Sequence, residues 1–171
     1  MSFQFSDGQS EVTGDFSKLE ALIADLKEKH YVDIGVFGTA VTSEGMPVAE
    51  YGAYNEFGSI SRPNHPPKRS FIRVPLQSGQ GKITNYVKKH AQQHLEAGDV
   101  KAIFEDIGIA GESVIQESFD SRGPGWPANT QSTIDKKGHD APLIGGGKGK
   151  KDEGRDVGGL LRHSITHRVD K

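Results

Sequence analysis

Cysteine is absent from the 171 residues, which excludes a disulfide framework, a cysteine nucleophile and any thiolate metal site. Tryptophan occurs once and methionine twice. Apolar runs are only a few residues long, so no segment reads as a membrane-spanning helix. The opening Met1-Ser2-Phe3-Gln4-Phe5-Ser6-Asp7 has neither a basic start nor an apolar centre and does not read as a secretion signal. The length suits one compact unit. The expectation is a soluble, unexported domain assembled in a reducing cytoplasm.

What the chain does have is glycine: 22 residues, roughly 13% against a usual ~7%. Eight of them fall between Gly138 and Gly159, and the remaining stretches hold glycine at an ordinary frequency. Residues 145–159 carry seven glycines and a single apolar side chain, Val157, which predicts a mobile loop bearing Lys148, Lys150 and Lys151. Charge is uneven too. Residues 1–60 hold ten acids against three lysines, a net of −7, whereas residues 61–171 hold 18 basic and 13 acidic groups, a net of +5. An acidic front and a basic rear suit contact between copies, or a rear that faces phosphate.

Periodicity places the elements. Residues 1–14 read as a loose arm. Asp15 to His30 is a helix, with Phe16, Leu19, Leu22, Ile23 and Leu26 on one face and Ser17 and Glu20 at capping-box spacing. Tyr31 to Phe37 alternates as a half-buried strand. A short helix is expected from Pro47 to Phe57, closed by Gly58, and the internal Gly52 implies that something approaches its backbone closely. Four prolines make Arg62 to Pro75 extended, with Phe71, Ile72 and Val74 as anchors. Ile83, Val87, Ala91 and Leu95 mark a helix ended by Gly98. Asp99 caps another over 100–119, in which Gly108 and Gly111 are spaced for close packing of two helices. A short helix follows near Asn129 to Lys137, and a closing strand runs through Leu160, Leu161, Ile165 and Val169.

Chemical motifs are few. His90 with His94, and His163 with His167, have i, i+4 spacing. The first pair lacks the glutamate of a zinc hydrolase motif, because Ala91 stands there. The second pair lies in the closing strand, where four residues span over ~13 Å, too far for one metal. Both read as solvated or structural, with no metal and no cofactor expected. Gly145-Gly146-Gly147-Lys148-Gly149-Lys150-Lys151 fails the spacing of a phosphate-binding loop, although its lysines suit nucleic-acid phosphate without fixed geometry. No nucleophile-elbow motif is present. No catalytic set stands out, and no enzymatic activity is expected.

Two clusters carry a resemblance. One is Val48-Ala49-Glu50-Tyr51-Gly52-Ala53-Tyr54-Asn55-Glu56-Phe57-Gly58, followed by Pro66-Pro67-Lys68-Arg69-Ser70-Phe71-Ile72-Arg73. The other is Trp126-Pro127, then Ser132-Thr133-Ile134, Ala141-Pro142-Leu143-Ile144 and Gly159-Leu160-Leu161-Arg162-His163-Ser164-Ile165. Together they resemble the virion morphogenesis proteins of tailed bacteriophages, the neck and tail-completion group. That family's pattern includes an asn-glu-phe-gly turn near a pro-x-arg-pro-phe segment, and a leu-arg-x-ser-ile block. Here Ser70 stands at the usual proline, and residues 145–157 separate Ile144 from Gly158-Gly159-Leu160.

The resemblance implies a structural ring subunit at the phage head–tail junction, sixfold around the DNA channel. Its partners would be further copies of itself, a head-closure or connector protein and a tail terminator or tail tube protein, with genomic DNA in the channel and no membrane. Its place would be the virion neck, after assembly in the host cytoplasm. Subunit contacts would fall to Tyr51, Tyr54, Asn55, Glu56, Phe57, Arg69, Phe71, Trp126, Leu161 and Arg162. Lys136, Lys137, Lys148, Lys150 and Lys151 would meet DNA or a neighbour. In physical terms Tyr51, Tyr54 and Phe57 form an aromatic knob pinned by a proline-rich strap. The plainer reading sends Phe57 and Phe71 into the domain's own core. Alternative functions are a tail terminator capping the tube, a small nucleic-acid-binding accessory protein using the 136–151 lysines, and a metal hydrolase built on His90 and His94. The expected fold is α/β in the α+β sense: a small mixed or antiparallel sheet on two to three helices, among them 15–30 and 100–119, with long loops, in one domain over 15–171.

Overall fold

The computed structural model describes residues 17–42, 45–59, 67–143 and 159–170. The expected arm at 1–14 and the glycine–lysine loop, with Lys148, Lys150 and Lys151, lie outside the described residues, apart from Gly159. The elements in chain order are α1 (Ser17–Lys27), β1 (Tyr31–Val36), α2 (Val48–Phe57), α3 (Arg73–Ser78), α4 (Gln80–Ala97), α5 (Val100–Asp120), α6 (Gln131–Lys137), α7 (Leu160–His163) and β2 (Ile165–Asp170). This is an α+β fold, helices with one two-stranded antiparallel sheet.

α5 is the axis. Asp99 caps it by accepting the Ala102 N–H at 3.0 Å, as its sequence position requires. α4 ends against it at Gly98, whose left-handed φ of 73° releases the chain into that cap. In the sheet, Tyr31 pairs with Asp170 and Val36 with Ile165. Alternation therefore puts Val32, Ile34, Val36, Ile165, His167 and Val169 on one face, and both strands pack on α5. Gly108 and Gly111 make this approach feasible. A Cβ on Gly108 would stand 2.0 Å from the His167 ring, and one on Gly111 would stand 2.3 Å from Ile34 Cδ1. The glycine pair thus admits side chains of the sheet at closest range, with Leu76 of α3 also 3.4 Å from the Gly111 position, where the sequence reading named only a helix.

The central core gathers Val48, Phe71, Ile115, Phe119, Leu161 and Ile165, one or two side chains from each of α2, the segment before α3, α5, α7 and β2. Burying each such side chain contributes about 1.5–3 kcal/mol. Three further expectations change. Arg73–Ser78 is helical although Pro75 lies within it, because a proline in the first turn sacrifices no intrahelical bond. Leu160 and Leu161 belong to a single helical turn, and the strand begins only at Ile165. α1 touches α5, but none of its side chains is buried, and Leu19, Ile23 and Leu26 are exposed. Of the two helices expected beneath the sheet, α5 is therefore the one that carries it.

Candidate interaction surface

α2 is where several of the quoted motif islands meet, those at 67–73, 126–127 and 159–165. Pro47 opens it, with the Tyr51 N–H donating to the Pro47 carbonyl at 3.0 Å, and Gly58 at φ 78° ends it. Gly52 faces inward: a Cβ there would lie 3.3 Å from Leu161 Cδ1 and 3.5 Å from Phe71 Cζ. The close approach expected at this glycine is therefore made by two side chains from distant parts of the chain.

One turn later, the Glu56 carboxylate is buried and saturated. Its Oε2 accepts the backbone N–H groups of Phe71 (2.7 Å) and Ile72 (2.9 Å). Its Oε1 accepts the Ser70 hydroxyl (2.6 Å), Arg73 Nε (2.9 Å) and, at 3.4 Å, the Arg73 N–H. Glu56 thus caps α3 from another helix, supplying the negative charge that the N-terminal N–H groups favour. Burial alone would push its carboxyl up, but the bonds from Ser70, Arg73 and Ile72 outweigh burial and hold it below its ordinary value.

The strap before α3 is fixed on its other side by Arg69. The Arg69 N–H donates to the Asn55 carbonyl at 2.7 Å. Its guanidinium donates to the carbonyls of Pro127 (2.9 Å) and Ala128 (3.1 Å) and to Asn129 Oδ1 (3.2 Å). Trp126 Nε1 donates to the Ser70 carbonyl at 3.1 Å, and its ring stands edge-on to Phe119 with centroids 5.5 Å apart. The indole fits only because residue 123 is glycine, at φ 76°: a Cβ there would lie 1.9 Å from Trp126 Cδ2. Arg162 forks onto Asp120 at 2.6 and 2.8 Å and ties α7 to the end of α5.

Of the ten residues expected at subunit contacts, Asn55, Glu56, Arg69, Phe71 and Leu161 are therefore buried inside their own chain. Asn55, Glu56 and Arg69 build the joint, and Phe71 and Leu161 belong to the core beneath it. Phe71, with no exposed surface, follows the core reading; Phe57, 62% exposed, does not. Tyr51, Tyr54 and Phe57 recur every third residue, so they share the outer side of α2. Tyr54 donates to Glu50 Oε1 at 2.7 Å, and the Arg73 guanidinium lies 4.8 Å from the centroid of the Phe57 ring. Beside Phe57 opens a groove of about 250 Å³, with walls that include Val36, Ala49, Ala53 and Ile72.

The histidine pairs take structural partners. His94 Nε2 lies 2.9 Å from Asp106 Oδ2, and His90 Nδ1 lies 3.4 Å from the same oxygen, joining α4 to α5. Among the described residues, no group of three His, Cys, Asp or Glu side chains is arranged to hold a metal ion. His163 ends α7, while His167 sits in β2 between Glu105 and Glu112, an arrangement that spacing alone does not signal. Lys136 and Lys137 lie at the end of α6. No described helix is long and apolar enough to cross a membrane.

The fold and this surface define a small α+β domain with a hydrogen-bonded joint beneath an exposed aromatic ridge. Comparison with protein-family models, with curated proteins and with solved structures finds no match.

Proposed function

We propose that this chain is a structural subunit of the tailed-phage neck, completing the tail and joining it to the DNA-filled head rather than catalysing a reaction. One observation carries the reading. Of the sequence islands that resemble the neck and tail-completion group, those at 48–58, 66–73, 126–127 and 159–165 are distant in sequence, yet their described residues meet in the Glu56–Arg69–Trp126 joint and the core beneath it, while the described residues of 132–134 and 141–144 lie outside that joint's bonds. Residues that co-occur in a pattern and also co-operate in one joint form a physical unit. The joint leaves Tyr51 and Phe57 exposed, with Phe57 beside the groove, an anchor of the type that fills a neighbour's pocket.

In this reading the ridge on α2 meets another copy, and the copies form a sixfold ring through head-to-tail contacts, which close when the rotation matches. A head-closure or connector ring and a tail terminator or tail tube protein stack on its two sides. Lys136, Lys137, Lys148, Lys150 and Lys151 meet the DNA in the channel or a neighbour. Deleting the gene from the phage that carries it tests this: tails of normal length that fail to join filled heads are expected. Overlong tails would make the chain a tail terminator instead, and unaltered virions would overturn the proposal.

A further inference from the structure

The sheet face that lies on α5 contains five aliphatic side chains and one ionisable group, His167. Its ring rests on bare backbone at Gly108. Glu105 and Glu112, two helical turns apart on α5, flank that glycine: Nδ1 of His167 lies 2.6 Å from Glu112 Oε1, and Nε2 lies 3.0 Å from Glu105 Oε2. A neutral imidazole has one N–H and one lone pair. In this geometry it would satisfy one carboxylate and turn the lone pair on the other. Only the imidazolium donates to both.

We propose that His167, Glu105 and Glu112 form a proton-operated clamp that fastens β2 to α5, closed while the His167 ring carries both protons and released when it loses one. The other charges around it are accounted for among the described residues. Lys101, on α5, pairs with Glu105 at 3.6 Å on the side away from the ring nitrogen's bond to Oε2. β1 brings Val32, Ile34 and Val36 to this face and no titratable group, while Asp33 alternates to the opposite face. Arg168 likewise faces away, with its guanidinium 4.4 Å from the centroid of the Phe37 ring. Burial opposes the charged ring, yet the bonds and charges of Glu112 and Glu105 outweigh it and raise its titration above the ordinary value.

The sign follows. A group whose folded-state titration is raised contributes its full stability below the unfolded value, about 6.5, and loses it as pH rises through the folded value. NMR titration of the ring in the full chain is the test, with thermal unfolding of wild type and His167→Gln from pH 6 to 9. The wild-type ring should titrate above 6.5, and the midpoint should fall in Glu112→Gln and in Glu105→Gln. At pH 6 the melting temperature of His167→Gln should lie roughly 2–4 °C below wild type, and the gap should narrow towards pH 9. A wild-type midpoint at or below 6.5, or a gap that does not change with pH, would overturn the clamp. Should His167→Gln fail to fold, the ring midpoints of wild type and the two glutamine variants decide it alone.

Discussion

The middle and the end of α5 are fastened in opposite ways. At its middle, the sheet is held by aliphatic packing around one charged contact, with Ile34 and His167 set into glycine gaps. Near its end, α2, the strap and the Trp126 loop are held by a carboxylate and a guanidinium whose bonds run mostly to backbone groups. The first arrangement tolerates aliphatic exchange, because packing is non-directional. The second does not, because each donor has one geometrically fixed acceptor, and a lost partner leaves a buried polar group unpaired. The two also respond to pH in opposite senses. Glu56, held below its ordinary value, supports the joint fully above the unfolded carboxylate range, and that support fades as pH falls through its lower folded value. His167 supports the sheet at low pH and lets go as pH rises.

The contrast can be broken most severely at the residue both regions share. Phe119 is fully buried in the core cluster that also holds Ile165 of β2, and it contacts the rings of Phe71 and Trp126. Phe119→Ala should cost about 3–5 kcal/mol in denaturant unfolding and weaken both regions together. Glu56→Gln should follow at about 2–3 kcal/mol, since an isosteric amide gives up charge-assisted acceptance; its deficit should shrink as the wild-type carboxylate protonates in acid. Gly123→Ala should cost about 1–3 kcal/mol, because an L side chain at φ 76° is strained and also collides with the indole. Phe57→Ala sharpens the comparison from outside: unfolding should shift by less than about 0.5 kcal/mol, while ring formation, followed by light scattering, should be lost.

Much of the scaffold was legible. Apolar spacing located α4 and α5, Asp99 and Gly98 marked their boundary, and alternation located β1. The polar joint was legible only as a pattern. Resemblance singled out Glu56 and Arg69, but nothing in sequence shows that most of their partners are main-chain groups from 15 to 59 residues away. Position within a helix is equally silent on what fills a glycine gap: Gly108 and Gly111 pointed to a helix, whereas side chains of the sheet come nearest at both and Leu76 of α3 stands further off at Gly111. His167 was hidden for a related reason. Its carboxylates come from α5, more than 50 residues earlier, and strand spacing tests only neighbours along the strand. The extended reading of Arg62 to Pro75 failed at its end because Glu56 supplies the cap that lets a helix begin at Arg73.

The chain's only tryptophan stands inside the joint, with its indole N–H on the Ser70 carbonyl and its ring against Phe119. Its fluorescence is therefore a built-in optical gauge for one region of the molecule. Loosening of the strap should move the emission toward that of a water-exposed indole, while events confined to β2 should leave the spectrum still.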